Sequence, residues 1–425
     1  MRIGFVGAGY VFDFYMATIG RHPALEIVGV TDRDVGRAAS VGRHYGLEVF
    51  AAAEALFADP RVETVVNLTS IPSHYAVSRA ALEAGKHVYS EKPLTTTLDE
   101  ARDLARLAAA KGLRLSAAPS NALSSTVRTM WKAVADGLVG TPRLVYAEFD
   151  DNPVYLLSPE TWASRTGAPW PYLHEYEMGC TWEHAGYHLV WMCALFGPVR
   201  SVTAFSAVTL PDKTDQPLDP EGTPDFSVAA LRFESGVVGR LTCSIAAPTD
   251  HRMRIIGDGG ELSADTYRHY ECPVRFEPFR PFGLKARNAR AVRRHSILQW
   301  PFGVGGHPLP LVPPAAPPPR AGWLRRLKRS QFGEQDKCAG LAELAAAIAE
   351  NRPHFPPSDL TLHLTELTLA IQAAGPDGAA HRMETRFEPL DLPDALRAGP
   401  DYRGHARPRA VPRLAERLLG GLSRR

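Results

Sequence analysis

A chain of 425 residues is long enough for two domains, each with its own core. The formal net charge of +2 excludes a strong overall attraction to nucleic acid or to a membrane surface. The 5 cysteines are odd in number and lack C-x-x-C spacing, which argues against a disulfide framework or a zinc site and favours a reducing, cytoplasmic location. We expect no metal site, signal peptide or membrane span, because the first strand begins at once and no apolar run has bilayer length.

The first predicted elements are a strand, a glycine turn, a helix and a second strand between Ile3 and Asp32. Gly7 allows a tight turn off the first strand, and Gly9, which lacks a Cβ, lets a pyrophosphate approach the backbone. Asp32 follows the second strand, where it is placed to accept hydrogen bonds from a ribose diol. The pattern therefore predicts a dinucleotide-binding site. Its other predicted contacts lie just after the turn and just after Asp32: Tyr10, Val11, Phe12 and Arg33.

Phe12 and Asp32 qualify this prediction in different ways. Phe12 replaces the third glycine of the usual G-x-G-x-x-G pattern, so an ordinary βαβ unit without a nucleotide is the alternative. Asp32 bears on the choice of dinucleotide, because a 2′-phosphate roughly 4 Å from its carboxylate would be opposed by up to about 4 kcal/mol at an effective dielectric near 20. Arg33 can offset part of that through a bidentate phosphate contact. We therefore expect NAD, with NADP less favoured.

Strand and helix alternate as far as residue 122. The helices are predicted from their caps: Asp34 begins one and Ser73 another, and Thr97 with Glu100 forms a capping box for a third. The alternation predicts an α/β fold with a doubly wound parallel sheet, an N-terminal Rossmann domain over residues 1–122. The predicted elements after Asp32 are helices 34–45, 51–57, 73–84 and one from residue 97, and strands 62–68, 87–90 and 113–117.

From residue 123 the pattern changes to a helix capped by Ser124 and a series of alternating strands. Turns such as the one within Gly257–Leu262 join these strands, which is typical of a mainly antiparallel sheet. We predict a C-terminal α+β domain over residues 123–390 with an open sheet, stacked on the first domain so that a cleft lies at the carboxyl ends of its strands. The predicted strands are 143–150, 199–208, 227–233, 237–246 and 252–257, and amphipathic helices follow at 338–350 and 360–374.

Residues 278–330 form a basic, proline-rich tract without an acidic residue. We predict that this insertion lies outside both cores, as a solvated surface segment or lid. A docking site for an anionic ligand or an acidic partner is the alternative. Residues 391–425 are predicted to be an arginine-rich tail. Its amphipathic stretch Leu414–Leu422 can bind a membrane surface or a partner subunit, but a frayed tail is the favoured interpretation.

Glu91-Lys92-Pro93 follows the predicted strand 87–90. Ligands bind at the carboxyl ends of parallel strands, so Lys92 is placed to hydrogen-bond a substrate hydroxyl. It can play this part if its neighbours lower its pKa from about 10.4 toward neutrality. The alternative is a solvated pair of surface charges, against which the position after this strand argues.

Several of these motifs occur together in one family. The glycine turn, Asp32, the segment Asn67–His74 and above all Glu91-Lys92-Pro93 resemble the Gfo/Idh/MocA oxidoreductases, which include glucose-fructose oxidoreductase and inositol 2-dehydrogenase. The resemblance covers residues 1–265 and 336–390. It implies NAD(P) bound by the first domain, a sugar, polyol or nucleotide-sugar presented by the second, and a homo-oligomer, either a dimer or a tetramer. The cofactor contacts that it implies are Thr69, Ser70, Pro72, His74, Glu91, Lys92 and Asn121, with Trp162 and Arg165 as the family's W-R pair near the nicotinamide.

One position departs from the family pattern. Counted back from Phe196-Gly197-Pro198, the family's D-x-x-x-H motif falls on Glu183 and Tyr187, so a tyrosine replaces the usual histidine. Relatives that use tyrosine as the acid/base imply that Tyr187 keeps the role with support from Glu183, whereas core packing is the alternative. On a helix His184 and His188 share the adjoining face, where we expect them to bind substrate. A metal site made by these histidines with Glu183 is not favoured.

The sequence thus predicts a NAD-dependent dehydrogenase that acts on a secondary alcohol of a sugar-like molecule. Hydride passes to the nicotinamide, Lys92 orients and polarises the hydroxyl, and Tyr187 with Glu183 relays the proton. Two other classes stay open. One is a hydrolase or lyase in which NAD oxidises the substrate transiently. The other is a non-catalytic protein that senses a dinucleotide and binds a partner.

Overall fold

Five parallel strands form the first sheet of the computed structural model, which describes residues 1–268, 270–280, 284–295, 299, 304–316 and 335–406. The strands are β1 (Arg2–Val6), β2 (Glu26–Thr31), β3 (Thr64–Asn67), β4 (His87–Ser90) and β5 (Leu115–Ala117). Helices between and beside them are α1 (Phe12–Ile19), α2 (Val35–Tyr45), α3 (Ala53–Ala58), α4 (His74–Glu83) and α5 (Leu98–Ala110). The order β2-β1-β3-β4-β5 places a topological switch point between β1 and β3, where such sheets bind ligands.

The doubly wound parallel sheet predicted for the N-terminal part is confirmed, and so are two of its caps. The Asp34 carboxylate accepts a hydrogen bond from the Arg37 amide at 3.0 Å, and the Thr97 hydroxyl accepts one from the Glu100 amide at 3.2 Å. The predicted cap at Ser73 is wrong. A 3₁₀ turn over Ile71–Ser73 runs directly into α4, so the Ser73 side chain makes no capping hydrogen bond.

Nine strands of the described residues form the second sheet, in the order β13-β12-β11-β10-β6-β9-β8-β7-β14. Within this set β6 and β9 run parallel and the other neighbours run antiparallel, which confirms the mainly antiparallel prediction. The hairpin predicted within Gly257–Leu262 joins β10 to β11. The strands are β6 (Pro142–Asp150), β7 (Val199–Ala207), β8 (Phe226–Phe233), β9 (Val238–Ser244), β10 (Met253–Gly257), β11 (Gly260–Ala264), β12 (Arg275–Pro278), β13 (His307–Pro308) and β14 (Ala379–Arg382).

The remaining described helices follow β5 in the chain. They are α6 (Ser125–Ala135), α7 (Tyr172–Met178), α8 (Cys180–Phe196), α9 (Ala286–Arg293), α10 (Ala339–Ala349), α11 (Ser358–Gln372) and α12 (Asp394–Arg397). In α10, Leu341 and Leu344 are wholly buried in one cluster with Ile3 and Phe5 of β1. The chain therefore returns to the first sheet after the second, while the domain limits 1–122 and 123–390 stay a prediction. Among the described helices none has the length and apolar content that a bilayer crossing needs.

The basic tract 278–330 lies partly inside the second core, so its predicted exclusion from both cores is wrong for residues 304–316. β13 pairs with β12 at the end of the sheet, and Leu309 and Val312 are buried in the second core. The Val312 amide also donates to the Thr129 hydroxyl at 2.9 Å. The prediction weighed charge and proline content and overlooked the apolar residues of this stretch. Residues 281–283, 296–298, 300–303 and 317–330 lie outside the described residues.

The beginning of the predicted tail is also packed, so a frayed tail is wrong for residues 391–406. Leu396 and Tyr402 are buried. The Tyr402 amide donates to Asp136 at 3.0 Å and its hydroxyl donates to the Pro310 carbonyl at 2.6 Å. This segment therefore hydrogen-bonds both to the end of α6 and to the 304–316 stretch. The amphipathic stretch Leu414–Leu422 lies outside the described residues.

We expect Tyr402→Ala to destabilise the protein, because it removes a wholly buried ring and leaves the Pro310 carbonyl without its donor. Truncation of a buried aromatic side chain costs about 3–5 kcal/mol of unfolding free energy. Urea unfolding followed by tryptophan fluorescence measures the change. Arg403→Ala, at the exposed next position, is the control and should leave stability unchanged. Equal stabilities of the two variants would contradict the packing described for the tail.

Candidate functional site

The glycine turn after β1 leaves space and free donors for an anion. A Cβ on Gly7 would lie 2.5 Å from the Leu68 carbonyl oxygen, and its φ of +103° also favours glycine. A Cβ on Gly9 would meet no atom within 4 Å, so the space beside Gly9 is open. Within the described part of the chain, the N–H groups of Gly9, Tyr10 and Val11 donate to no atom. This cradle fits a pyrophosphate.

Asp32 lies at the end of β2, next to this cradle. One carboxylate oxygen accepts a hydrogen bond from the Ala8 amide at 2.7 Å and the other accepts one from the Asp34 amide at 2.8 Å. Each oxygen keeps a second lone pair for a ribose hydroxyl. Arg37 forms an ion pair with Asp32, with its Nη1 4.0 Å from the carboxylate. The side chain of Arg33 is exposed.

The Phe12 side chain and N–H are both engaged within the protein, and its predicted cofactor contact stays a prediction. Its ring is wholly buried, edge-on to Phe5 with centroids 5.1 Å apart, and lies 6.0 Å from the Tyr45 ring. Its N–H donates to the Gly9 carbonyl at 3.1 Å. The aromatic ring thus fills the helix–strand interface that a third glycine usually closes by backbone contact.

The loop after β3 is fastened to the loop after β4 by His74. The His74 ring is buried, with Nδ1 2.6 Å from the Pro93 carbonyl and Nε2 3.0 Å from the Thr69 carbonyl. Burial lowers the pKa of His74. Because both ring nitrogens face backbone carbonyls, His74 braces the two loops, and its predicted cofactor contact stays a prediction. Ser70 and Pro72 are exposed at the rim, where their predicted contacts stay a prediction.

Glu91 is a buried carboxylate that lies close to polar groups from three parts of the chain. It accepts hydrogen bonds from the Tyr15 hydroxyl at 2.9 Å and from the Lys92 amide at 3.1 Å. The Lys337 Nζ lies 3.6 Å from the same Glu91 oxygen that Tyr15 contacts. Burial alone would raise the pKa of Glu91, but Lys337 and Lys92 bring it below its usual value. Glu91 is therefore ionised at neutral pH.

Lys92 forms an ion pair with Glu183 of α8, and both side chains are largely buried. Burial alone would lower the pKa of Lys92, but Glu183, followed by Tyr187 and Glu91, raises it well above its usual value. The expectation that the neighbours lower this pKa toward neutrality is therefore wrong. Lys92 stays an ammonium at neutral pH, so it can donate hydrogen bonds to a substrate oxygen but cannot accept its proton.

Tyr187 faces two ammonium groups. Its hydroxyl accepts a hydrogen bond from Lys337 Nζ at 3.2 Å, and the Lys92 Nζ lies 5.8 Å from its ring centroid. The ring stacks on Tyr267 with centroids 5.1 Å apart. Asn121 is buried and its amide donates to the Tyr187 carbonyl, so this predicted cofactor residue also holds α8. The Tyr187 hydroxyl is thus held against the Lys337 ammonium, with Lys92 beside the ring.

His188 is enclosed between α8 and β6, and its predicted substrate contact stays a prediction. The ring is wholly buried, its Nε2 lies 2.8 Å from the Glu148 carbonyl, and its Nδ1 accepts from Trp191 Nε1 at 2.9 Å. Burial lowers the pKa of His188 to about 3, so it is neutral. His184 is also largely buried, with its Nε2 2.9 Å from Glu175. Among the described residues no group of three or more His, Cys, Asp or Glu side chains could hold a metal.

The loop that carries Trp162 and Arg165 lies against α1. Trp162 packs on Trp170 with centroids 4.8 Å apart. Thr166 donates from its amide and its hydroxyl to Asp13 in the first turn of α1, at 2.8 and 2.9 Å. Arg165 lies beside the Tyr45 hydroxyl. The loop is thus close to the glycine turn, while contact of this pair with the nicotinamide stays a prediction.

Comparison with known proteins identifies the family. A model described as the oxidoreductase family with an NAD-binding Rossmann fold matches residues 1–118, and the GFO/IDH/MocA C-terminal domain matches residues 127–263. The chain belongs to the GFO/IDH/MocA oxidoreductase family. Its first domain has the NAD-binding Rossmann fold, and the cradle beside Gly9 and Asp32 fits a dinucleotide.

The names of relatives within the GFO/IDH/MocA family refer to different alcohols as substrates. The chain is 27% identical over 263 residues to a Bos taurus trans-1,2-dihydrobenzene-1,2-diol dehydrogenase, covering 61% of this chain and 72% of that protein. It is 30% identical over 177 residues to inositol 2-dehydrogenase 3 of Saccharopolyspora erythraea, covering 41% and 51%. The WlbA dehydrogenase of Bordetella pertussis, solved with NADH and UDP-GlcNAcA, has the same fold at a TM-score of 0.65 and 19% identity, covering 92% of this chain and 98% of that one.

Sequence reasoning missed one ammonium at the centre of this GFO/IDH/MocA site. Lys337 belongs to no recognisable motif in the sequence and lies directly before an alanine-rich helix. It is brought to Tyr187 by the return of the chain to the first sheet. The one available signal was that the resemblance to the family resumes at residue 336. The aromatic neighbours Phe149 and Tyr267 also went unnoticed, because each lies near a strand end of ordinary composition.

Proposed function

We propose that this enzyme transfers hydride between a secondary hydroxyl of a sugar, polyol or nucleotide-sugar and the nicotinamide of NAD. The observation that carries the proposal is that Lys92, which follows β4, and Tyr187 of α8 lie together, with Lys92 kept protonated by Glu183. The relatives support the substrate class, since their names include an inositol and a dihydrodiol dehydrogenase.

In the oxidation direction, Lys92 donates a hydrogen bond to the substrate hydroxyl oxygen and so fixes and polarises it. Tyr187, as the phenolate, accepts the hydroxyl proton while the carbinol C–H bond breaks and the carbonyl forms. NAD, when bound, supplies the acceptor for the hydride, so that both electrons leave with that hydrogen. In the reverse direction the Tyr187 hydroxyl returns the proton. Glu183 acts through Lys92, and its predicted direct support of Tyr187 is replaced by this ion pair.

We further propose that the enzyme works in the cytoplasm as a homo-oligomer, either a dimer or a tetramer. The five cysteines support a reducing compartment, because all five are free and buried. The oligomer rests on the resemblance to the family alone. Light scattering coupled to size-exclusion chromatography measures the mass of the particle directly.

A panel of sugars, inositols and nucleotide-sugars, screened with NAD for the absorbance of NADH, tests the proposed reaction. We expect stoichiometric NADH from at least one of these alcohols. A product formed without net NADH would instead support a hydrolase or lyase that oxidises its substrate transiently. Binding of NAD without any turnover across the panel would support a dinucleotide sensor.

We expect Asp32→Asn to weaken the preference for NAD over NADP. The wild-type carboxylate opposes a 2′-phosphate by up to about 4 kcal/mol at an effective dielectric of about 20, and the amide removes that charge while keeping one acceptor oxygen. Because Arg37 already offsets part of the effect, the expected fall in the NAD/NADP ratio of kcat/KM is about ten- to a hundredfold. Asp34→Asn is the matched control, since it removes the same charge on the same loop from a more exposed side chain. Equal changes in both variants would contradict the role given to Asp32.

A further inference from the structure

Lys337 lies in the turn before α10, where the chain returns to the first sheet. Its Nζ donates to the Tyr187 hydroxyl at 3.2 Å and lies 3.6 Å from Glu91. The side chain is 14% exposed, so the ammonium is screened little by water. No part of the family pattern seen in the sequence assigns this lysine a function.

We propose that Lys337 is a positioning residue that holds the Tyr187 hydroxyl and stabilises its phenolate during proton transfer. The inference rests on the proposed function, because it gives Lys337 a part in the same reaction. Its effect is exerted through Tyr187, with no contact to substrate required.

The replacement of the family's histidine by Tyr187 explains why a second cation is needed. A free histidine titrates near neutral pH, whereas a free tyrosine titrates near pH 10. A free tyrosine is therefore a poor proton acceptor at pH 7, because very little of it is present as the phenolate. An ammonium within about 4–6 Å of an acid favours its ionised form by about 1–3 pH units. Both ammonium groups lie near the Tyr187 ring, Lys337 at 5.4 Å and Lys92 at 5.8 Å from its centroid, and Lys337 is the one that hydrogen-bonds the phenol oxygen.

The charges around Tyr187 alternate in sign, which keeps both lysines protonated. Lys92 is paired with Glu183, and Lys337 with Glu91. Burial alone would lower the pKa of Lys337, but Glu91 and Tyr187 raise it above its usual value. The other titratable groups near the phenol come from the segment after β11: Arg268, Tyr267 and Tyr270. The Phe149 ring of β6 lies between Tyr187 and the histidines of α8, since it contacts the rings of Tyr187, His184 and His188.

The neighbours of Lys337 fix its position from both sides. Asp336 is buried 2.9 Å from His22 Nε2, just beyond α1, and its carboxylate accepts the Cys338 amide at 3.2 Å. The Cys338 thiol donates to the Tyr15 carbonyl at 3.3 Å, and the Tyr15 hydroxyl donates to Glu91. The backbone that carries Lys337 is therefore tied to α1 on both sides, and the ammonium has a defined location.

The first test compares pH profiles of kcat/KM for alcohol oxidation in wild type, Lys337→Met, Lys337→Gln and Lys337→Arg. Loss of the charge should move the rising limb about 1–3 units toward higher pH in the Met and Gln variants, a loss of about ten- to a thousandfold at pH 7. Arg should restore most of the wild-type profile. Lys86→Met is the control, because Lys86 is also a largely buried lysine, whose Nζ instead donates to two backbone carbonyls, of Asp59 and Val62, each at 2.8 Å. The Lys86→Met variant should leave the rising limb of the pH profile of kcat/KM at its wild-type pH.

The second test needs no substrate, so it separates failure of this inference from failure of the proposed function. Tyrosine labelled with ¹³C at the ring carbon bearing oxygen is incorporated, and Tyr187→Phe identifies the resonance of Tyr187. Ionisation of that residue is then followed by NMR against pH in wild type and in Lys337→Gln. A midpoint higher by about 1–3 units in the variant supports the inference even if no alcohol is oxidised. An unchanged midpoint, or an equal change in Lys86→Met, overturns it.

Discussion

Lys92→Met should lower kcat/KM for alcohol oxidation by about 10²–10⁴-fold, the range that one general acid–base group supplies. The ammonium is held protonated by Glu183 and is the donor that polarises the substrate hydroxyl in the proposed reaction. Loss of that donor acts on the transition state, so kcat should fall more than KM rises. Steady-state NADH absorbance measures both constants.

Binding of NAD to Lys92→Met should change little, because the cradle at Gly7, Gly9 and Asp32 lies on other strands. Calorimetric titration with NAD checks this. Lys92→Arg is a second informative variant: it keeps the charge but replaces a compact ammonium by a planar fork, so a partial recovery is expected. Turnover unchanged in Lys92→Met would refute the role of this residue in catalysis.

The parts of the site that the sequence predicted are those that local chemistry determines. The strand His87–Ser90 was predicted with its correct bounds, and Lys92 follows it by two residues. Gly7 and Gly9 were predicted from the requirements of a turn and of a close approach by phosphate. In each case the reason lies within a few residues of the position itself.

The parts that escaped prediction depend on contacts between distant residues. The pKa of Lys92 was expected to fall, but Glu183, 91 residues later, raises it. Lys337 lies 150 residues from the Tyr187 that it contacts. Helical periodicity placed His188 correctly on a face of α8 without showing that β6 covers that face. Sequence spacing gives the face of a helix, and only the tertiary fold gives what lies against it.

Glu183→Gln should be among the most destabilising single changes in the cleft, because it leaves the buried Lys92 ammonium without its counter-ion. Removing one partner of a buried ion pair typically costs about 3–5 kcal/mol of unfolding free energy. Burial alone would raise the pKa of Glu183, but Lys92 brings it below its usual value, so its contribution is present at neutral pH and is lost as the solution is acidified through that lowered pKa. The pKa of Lys92 is raised, so its contribution is lost only as the pH rises through the raised value.

The double variant Lys92→Met/Glu183→Gln separates loss of the pair from loss of one charge. It removes both ions and leaves no buried charge, so it should recover most of the stability lost in Glu183→Gln while remaining inactive. Urea unfolding at pH 7 measures the coupling, and the deficit of Glu183→Gln relative to wild type should shrink as acidification through the lowered pKa of Glu183 protonates the wild-type carboxylate. Additive losses in the double variant, or a deficit independent of pH, would show that Glu183 and Lys92 do not act as a pair. Glu183 would then have to support Tyr187 directly, as the sequence first indicated.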